Sequence, residues 1–154
     1  MNIAIGSDQL GVQLRLSLIE HLKTQSLVQV EIQDFGVNLE NDVDYPDIGL
    51  LVAESIASGL NQRGILICGT GIGMAITANK VPGVYAANVS DSYSAERARK
   101  SNNAQIITLG ALTVGVALAK SLLDIWLVSE FQGGGSKKKI EKIYRIEEKY
   151  HSKE

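Results

Sequence analysis

The sequence is poor in the features that anchor or cross-link a chain. Its one cysteine, Cys68, leaves no partner for an internal disulfide and gives no secretory pattern. No apolar run approaches the ~20 residues of a membrane span. The apolar segment Met1–Gly6 is followed at once by the polar Ser7 and Asp8, unlike a signal peptide. We therefore expect a cytoplasmic protein with no membrane partner.

Charge and histidine are also scarce. The formal net charge is −2, from 15 Lys and Arg against 17 Asp and Glu, so no basic surface is expected for nucleic acid. The two histidines, His21 and His151, fall in a predicted helix and in the C-terminal tail. Catalytic histidine triads and histidine metal sites therefore do not fit, and one cysteine is too few for a zinc site.

What the sequence does contain is a regular alternation of strand-like and helix-like segments. Its 154 residues suit one domain. Strand-like runs cover Asn2–Gly6, Val28–Ile32, Gly64–Cys68, Gly83–Ala87 and Gln105–Leu109. Helical spacing covers Leu10–Leu22, a segment opened by Tyr45-Pro46, Met74–Asn79, Ser92–Ser101, Leu112–Val128 and Ser136–Tyr150. This order predicts a doubly wound α/β fold, a Rossmann-like three-layer αβα sandwich with about five parallel strands.

Three consecutive glycines, Gly133–Gly135, set the last segment apart. We predict a single α/β domain over residues 1–132 and a C-terminal helix and tail over residues 133–154. The helix carries an apolar stripe of Ile140, Ile143, Tyr144 and Ile146. The stripe is spaced to pack either on the same domain or on a second subunit.

Open parallel sheets bind ligands at the carboxyl ends of their strands. The predicted rim holds carboxylates, hydroxyls, one thiol and no histidine; its members are Ser7, Asp8, Gln9, Asp34, Cys68, Gly69, Thr70, Asn88, Ser90, Asp91, Thr108 and Gly110. Any chemistry is therefore expected from these groups.

The segment Cys68–Met74 is the most informative part of the rim. Its three glycines join a buried strand to a helix, and glycine lets backbone N–H groups turn toward a bound anion. That anion is either a phosphate or an oxyanion formed during a reaction; the alternative is a plain tight turn. The dinucleotide fingerprint fails because Met74 stands at its third glycine, and no Gly-Lys-Ser/Thr of a phosphate loop follows.

Cys68 has two interpretations. A lone cysteine at the end of an apolar strand is often an inert small hydrophobic residue. A position at a helix N-terminus instead favours the reactive thiolate. With Thr70 and glycine amides beside it, such a thiolate suits abstraction of a proton next to a carbonyl, where an enediolate must be stabilised.

The order of motifs along nearly the whole chain carries a family resemblance. The motifs are Gly6-Ser7-Asp8, Asp44-Tyr45-Pro46, Ile67-Cys68-Gly69-Thr70-Gly71-Ile72-Gly73, Ala78-Asn79-Lys80, Ser94-Ala95, Ser101-Asn102-Asn103, Leu109-Gly110 and Phe131-Gln132-Gly133-Gly134. The chain resembles the type B ribose-5-phosphate isomerases and the related galactose-6-phosphate isomerase subunits.

The resemblance implies an aldose–ketose isomerase that works through a cis-enediolate and needs no metal or cofactor. It implies Cys68 as the base, with Gly69, Thr70, Gly71, Ile72 and Gly73 forming the anion hole and Thr70 also near the ring oxygen. Asp8 and Tyr45 would contact sugar hydroxyls, and Asn102 would come from a partner subunit. The assembly would be a homodimer or a tetramer of dimers.

The chain departs from the family pattern at the groups that open the sugar ring and bind phosphate. Histidines of the family are replaced by Gln9 and Ser101, and arginines by Leu112 and Gly135, while Lys139 stands at the place of a third arginine. Lysine is a point charge and does not replace the fork of an arginine. We therefore expect an already open substrate such as a tetrulose or another short sugar. Its far end would be shorter, uncharged, or held by Lys137–Lys139.

Two other functions stay open at this stage. The chain could be a non-catalytic or half-catalytic subunit of a hetero-oligomeric sugar-phosphate isomerase, with the missing groups supplied by another chain. It could also be a sugar-phosphate binding module, although pure binding has no use for the thiol of Cys68.

Overall fold

A computed structural model describes residues 1–40 and 43–151 and confirms the doubly wound α/β fold. Its sheet is built from β1 (Asn2–Ser7), β2 (Glu31–Asp34), β3 (Arg63–Cys68), β4 (Ala86–Asn88) and β5 (Ile106–Gly110). The strand order is β2-β1-β3-β5-β4, and every described pair is parallel.

Helices cover both faces of the sheet. They are α1 (Val12–Gln25), α2 (Tyr45–Ala57), α3 (Ile72–Ala78), α4 (Ser92–Lys100), α5 (Val116–Val128) and α6 (Gly135–His151), with a 3₁₀ turn at Gln9–Gly11 before α1. Residues of α1, α4 and α5 share one apolar core with the sheet, and residues of α2 and α3 share the other. No helix in the described part of the chain combines the length and the apolar character needed to cross a membrane.

The central strand β3 is apolar because it is covered on both faces. Ile65 and Ile67 enter the core on the α1 and α5 side, whereas Leu66 and Cys68 enter the core on the α2 and α3 side. Ile65, Leu66 and Ile67 have no exposed surface, and burial of each contributes roughly 1.5–3 kcal/mol. This strand therefore holds Cys68, its last residue, at the end of the buried centre of the sheet.

Two strands begin three residues later than predicted. The predicted strand Val28–Ile32 begins only at Glu31, because the Ser26 hydroxyl bonds both the N–H and the carbonyl of Val28 in a local turn. The predicted strand Gly83–Ala87 is replaced by β4, which begins three residues later. Gly83 has φ +80°, and the N–H of Val84 bonds back to Val81. In both segments, residues with the apolar pattern of a strand form a turn instead.

Helix starts differ for the same kind of reason. The helix predicted over Leu112–Val128 begins at Val116, because the N–H groups of Thr113 and Val114 bond the carbonyl of Gly110 in a turn. In the other direction, α3 begins two residues earlier than Met74.

The helical pattern predicts the environment of Leu10 wrongly. It was expected on the buried stripe of the first helix, but it lies in the 3₁₀ turn and is 57% exposed. The Asp8 carboxylate accepts the N–H of Gly11 at 3.2 Å, and this cap separates the turn from α1. The buried stripe therefore starts at Val12.

Asn79, just after α3, covers the outer edge of β4. Its side-chain oxygen accepts the N–H of Ala86 at 2.8 Å, and its side-chain nitrogen donates to the Ala86 carbonyl at 2.9 Å. The amide thus takes the place of a neighbouring strand at this position.

Helix α6 contacts its own chain at the loop before β4. The carboxylate of Glu147 accepts the Tyr85 hydroxyl at 2.7 Å and the Gly83 N–H at 3.1 Å, and the rings of Tyr85 and Tyr144 lie 5.1 Å apart. Ile140 is buried, whereas Ile143 and Ile146 are exposed. A contact between this helix and a second subunit stays a proposal, and residues 152–154 of the predicted tail lie outside the described residues.

Candidate active site

The carboxyl ends of β1 and β3 are neighbours in the sheet and bring Asp8 close to Cys68. The N–H of Asp8 donates to the carbonyl of Ile67, the residue before Cys68, at 3.3 Å. A crevice of about 450 Å³ opens here; it is lined by Asp8, Leu10, Tyr45, Cys68, Gly69, Thr70, Ile72, Gly73 and Ile76. Most of the predicted site residues therefore share one crevice.

Cys68 lies at the base of this crevice with 4% of its surface exposed. Its Sγ accepts the backbone N–H of Gly71 at 3.2 Å. Its carbonyl accepts the N–H of Ala111 at 2.8 Å, and the carbonyl of Gly69 accepts the N–H of Leu112 at 3.0 Å. The loop after β5 thus fixes the loop that carries the thiol, and the amide of Gly71 points at the sulfur.

Gly71 is required by its conformation and by its surroundings. Its φ is +79°, a region that residues with side chains rarely adopt. A Cβ at this position would lie 2.7 Å from the Asn88 side-chain oxygen and 2.9 Å from the backbone of Leu109. Glycine therefore lets the chain turn back so that the amide of residue 71 points at the sulfur.

Thr70 stands at the exposed mouth of the crevice. Its Oγ1 accepts the backbone N–H of Ile72 at 3.2 Å, and Ile72 is the first residue of α3. The hydroxyl is therefore fixed near the thiol and keeps its own proton available for donation to a substrate oxygen.

Tyr45 enters the crevice from the first turn of α2, where Pro46 suits the helix start. Its ring lies directly against Gly73: a Cβ on Gly73 would stand 2.4 Å from a ring carbon and 2.8 Å from the hydroxyl oxygen. The third glycine of the segment therefore makes room for the tyrosine ring, whose hydroxyl is placed over the start of α3.

Asp8 supplies the single carboxylate of the crevice lining. The residue is 9% exposed. Burial raises the pKa of Asp8 above its usual value, and hydrogen bonds from the N–H groups of Gly11 and Leu10 offset part of that increase. It is a hydrogen-bond acceptor for substrate hydroxyls when ionised.

The apolar walls of the crevice were missed by the sequence analysis. Leu10 and Ile76 line it, and both were assigned to helical patterns rather than to a site. Leu10 and Leu112 also flank Gly69, since a Cβ there would lie 3.3 Å from one side chain and 3.5 Å from the other. Leu112 is 73% exposed. An exposed leucine beside a site marks an apolar wall, and its exposure cannot be read from the sequence alone.

Five predicted site residues do not line this crevice, and one of them, Gly71, is linked to it only through the bond from its N–H to the Cys68 sulfur. Gln9 lies beside Asp8 in the 3₁₀ turn. Ser101 and Asn102 follow α4 and precede β5, so they lie at the amino edge of the sheet, whereas Cys68 lies at the carboxyl edge. The length of a strand, roughly 15 Å or more, separates the two edges. Lys139 is exposed near the start of α6, which contacts the same amino edge.

Two other rim residues, Asp34 and Asp91, have structural partners. Asp34 pairs with the buried Arg15 at 3.2 Å. Asp91 caps α4 by accepting the N–H of Ser94 at 2.8 Å, and this bond lowers the pKa of Asp91. Thr108 is fully buried within β5. Within residues 1–40 and 43–151, no group of three or more His, Cys, Asp and Glu side chains is arranged to hold a metal ion.

Comparisons with known proteins agree on one group of relatives. The sequence model described as Ribose/Galactose Isomerase matches residues 3–143. The chain is 52% identical to "Ribose-5-P isomerase B" of Listeria innocua and 47% identical to "D-erythrulose-4-phosphate isomerase" of Pectobacterium atrosepticum, covering 97% of this chain and 99% of the relative in both cases. The solved structure of ribose-5-phosphate isomerase B from Clostridium thermocellum is similar with a TM-score of 0.92 and 48% identity, over 97% of this chain and 99% of that one.

Proposed function

The chain belongs to the ribose/galactose isomerase family, and from this premise we propose that it interconverts a ketose phosphate and an aldose phosphate with Cys68 as the base. As a family member it is a sugar-phosphate aldose–ketose isomerase, an intramolecular oxidoreductase. The contact of the Cys68 Sγ with the Gly71 N–H at 3.2 Å, at the base of an open crevice, carries the mechanistic part of the proposal.

The reaction is a proton transfer between adjacent carbons. The Cys68 thiolate removes the proton from C1 of the ketose, and the electrons of that bond form the C1–C2 double bond of a cis-enediolate. The sulfur holds this proton, which exchanges in part with solvent, and delivers it to C2. The C1 hydroxyl proton passes to the C2 oxygen, the C1 oxygen becomes the aldehyde, and no electron leaves the substrate. The backbone amides of residues 69–73 bind the negative oxygen while it exists.

Three side chains orient the substrate in this proposal. The Thr70 hydroxyl donates to the reacting oxygen, because the N–H of Ile72 binds one of its lone pairs and leaves its proton for the substrate. The Asp8 carboxylate and the Tyr45 hydroxyl bind sugar hydroxyls from two other sides of the crevice. Such fixed partners hold C1 against the sulfur, which is the main requirement of an efficient proton transfer.

We assign a four-carbon substrate, a tetrulose 4-phosphate and its aldose. An aldotetrose closes a five-membered ring through its C4 oxygen, and a phosphate on that oxygen prevents closure. Such a substrate needs no ring-opening acid, and Ser101 stands where the family resemblance expects a histidine for that step. The relative named D-erythrulose-4-phosphate isomerase, 47% identical, supports this assignment.

Ribose 5-phosphate and ribulose 5-phosphate form the second candidate pair. The Listeria relative at 52% identity is named for them. The two candidates differ in one requirement, because ribose 5-phosphate is mostly cyclic and must be opened before its C2 proton can be removed. A chain that lacks the opening acid should isomerise ribulose 5-phosphate better than it isomerises ribose 5-phosphate.

We also propose that the complete site needs two copies of the chain. Ser101, Asn102 and Lys139 lie at the edge of the sheet opposite Cys68, so within one copy they do not reach the crevice. A homodimer that turns the amino edge of one subunit toward the carboxyl edge of the other would bring them there. A tetramer of dimers or a hetero-oligomer would also bring these residues to the crevice.

We also place the enzyme in the cytoplasm, where its cysteine stays reduced.

The test is an isomerase assay on the purified chain alone. Tetrulose 4-phosphate, ribulose 5-phosphate and ribose 5-phosphate are each incubated in deuterated buffer, and both product and incorporated deuterium are measured. We expect turnover of the tetrulose 4-phosphate to exceed that of ribose 5-phosphate. Cys68→Ala should lower both turnover and exchange by about 10²–10⁴-fold, the usual contribution of an acid–base group.

Cys68→Ser provides the matched control, because it keeps the size and a hydrogen-bond acceptor for Gly71 but is a far weaker base. It should lose exchange as Cys68→Ala does while its circular dichroism stays native. Turnover that survives both substitutions would remove Cys68 from the mechanism. Turnover seen only after a second chain is added would support the hetero-oligomer alternative.

A further inference from the structure

The crevice lacks a positive charge for the phosphate that its proposed substrate carries. Its described lining includes one carboxylate, Asp8, and no lysine or arginine. Lys80 belongs to a neighbouring hollow on the other side of Ile72 and Ile76. A doubly charged phosphate is usually bound by an arginine fork or a cluster of N–H donors. A cation for the phosphate is therefore expected among the residues that the proposed dimer would bring to the crevice.

Arg97, on α4, is the arginine held next to Ser101. Its Nε donates to the Ser101 hydroxyl at 2.7 Å, which fixes the plane of the guanidinium. Its two terminal nitrogens have only long contacts, at 3.4 Å to the side-chain oxygen of Gln132 and at 3.5 Å to Glu96. The side chain is 30% exposed. The outer fork of the guanidinium is therefore oriented but weakly bound.

The surroundings of Arg97 leave its charge available. Glu96, the nearest carboxylate, binds Lys100 more closely, at 3.0 Å, than it binds Arg97. Gln132 is held beside the end of α4 because its N–H donates to the carbonyl of Lys100 at 3.2 Å. The left-handed Gly133 then turns the chain toward α6. The two oxygens that orient Arg97 thus come from separate segments, and neither is charged.

The small side chain of Ser101 is what permits this arrangement. Its hydroxyl reaches Arg97 one helical turn away, since residues four apart lie on the same face of a helix. Ser101 and Asn102 are the residues that we placed in the partner's crevice under the proposed function. The guanidinium of Arg97 lies within one hydrogen bond of Ser101 and would therefore enter that crevice together with it.

We propose that Arg97 binds the substrate phosphate in the crevice of the partner subunit, with Ser101 and Gln132 as its positioning residues. The inference rests on the proposed function and names the phosphate-binding group of that same site. A four-carbon substrate brings its phosphate closer to the reacting carbons than a five-carbon one does. The cation is accordingly beside Ser101 rather than at Leu112 or Gly135, where the family pattern has arginines.

Steady-state kinetics with paired substrates test the charge. Arg97→Met should raise KM for tetrulose 4-phosphate about ten- to hundredfold, the effect of losing one charge-assisted contact. KM for the unphosphorylated tetrulose should not change, and Arg97→Lys should recover part of the loss. Ser101→Ala should raise KM for the phosphorylated sugar alone. Lys23→Met, at an exposed lysine on α1, is the matched control and should match wild type. An unchanged KM in Arg97→Met, or a larger effect from Lys139→Met, would refute the assignment.

Binding of inorganic phosphate separates this inference from the proposed function. Calorimetry on wild type should detect phosphate, and Arg97→Met should weaken it by a similar factor. Arg97-dependent binding without any isomerase turnover would leave the anion site standing and reject the isomerase. Isomerase turnover, together with phosphate binding that Arg97→Met does not weaken, would reject the anion site and support the isomerase.

Hybrid dimers test whether Arg97 acts across the interface. Two differently tagged chains, one carrying Cys68→Ala and the other Arg97→Met, are co-expressed and the hybrid is isolated. One of its two sites has both residues, so about half of the wild-type activity is expected at low substrate. The control hybrid pairs wild type with a chain carrying both substitutions and should be weak. If Arg97 acted within its own chain, the control hybrid would keep about half of the activity and the first hybrid would be weak. That result would refute the inference.

Discussion

The sulfur of Cys68 accepts a hydrogen bond from the backbone N–H of Gly71, three residues later in the chain, and this bond closes a short loop. The loop closes only because residue 71 has a positive φ. The surroundings of the Cys68 sulfur and the shape of the proposed anion site are therefore set by the same backbone turn. A change in that turn should affect both.

Gly71→Ala should destroy activity and cost stability. The alanine must adopt φ near +79° and its Cβ meets the backbone of Leu109 at 2.9 Å, so we expect a loss of about 2–4 kcal/mol and at least about a hundredfold in kcat/KM. Gly83→Ala is the control, since Gly83 has φ +80° but no atom within 4 Å. It should lose only about 1–2 kcal/mol and keep its activity. Equal effects of both substitutions in urea unfolding and kinetics would contradict the steric explanation.

Ser101→His should change the substrate preference. An imidazole at this position can pass a proton to a ring oxygen, so kcat/KM for ribose 5-phosphate should rise by about tenfold or more. The tetrulose 4-phosphate should be bound less well, because Arg97 loses the hydroxyl that orients it. Ser101→Asn has a similar polar side chain but cannot shuttle the proton, and it should not gain activity on the cyclic sugar. A gain in the asparagine variant would argue against ring opening as the cause.

The buried carboxyl of Asp8 predicts a pH-dependent difference in stability. Burial raises its pKa in the folded protein, so the folded state binds the proton more tightly than the unfolded chain does. The wild type therefore gains stability from this group as the pH falls through the folded-state pKa, and the gain is complete below the unfolded pKa of about 3.9. Asp8→Asn has no such titration. Its stability relative to wild type should be highest near neutral pH and should decline toward about pH 4. Urea unfolding of both proteins across this range measures it, and a difference that grows on acidification would mean that the sign is wrong.

The hydrogen bond between Tyr85 and Glu147 fixes α6 to the domain. Tyr85→Phe removes the donor and should lower the free energy of unfolding by about 1 kcal/mol, the typical net value of one such bond. Tyr93→Phe, at an exposed tyrosine on α4, is the control and should be neutral. If both variants unfold like wild type, the contact does not hold the helix in solution.

The sequence predicted the fold well because its period-2 and period-3.6 patterns are long and separate. It failed where local hydrogen bonds override the pattern: the Ser26 turn delays β2, and the Asp8 cap turns Leu10 outward. Such bonds depend on one side chain meeting one backbone group, which periodicity does not encode.

The central part of the candidate site was equally accessible from the sequence. Cys68, Thr70 and the glycines are adjacent along the chain, so their proximity follows from the strand and helix that flank them. Arg97 was not recognised, because its partners are one helical turn and thirty-five residues away, and only the folded chain brings Gln132 beside it. The same limit applies to the walls formed by Leu10 and Leu112.

The amide of Asn79 has a consequence beyond the fold of one molecule. It saturates the outward N–H and carbonyl of Ala86 on an edge strand of only three residues. Few backbone groups on this edge are therefore available for pairing with a strand of another molecule, and extension of the sheet into fibrils is disfavoured on that side. If the chain forms the proposed homodimer, a protected edge favours that one arrangement over open-ended association through the sheet.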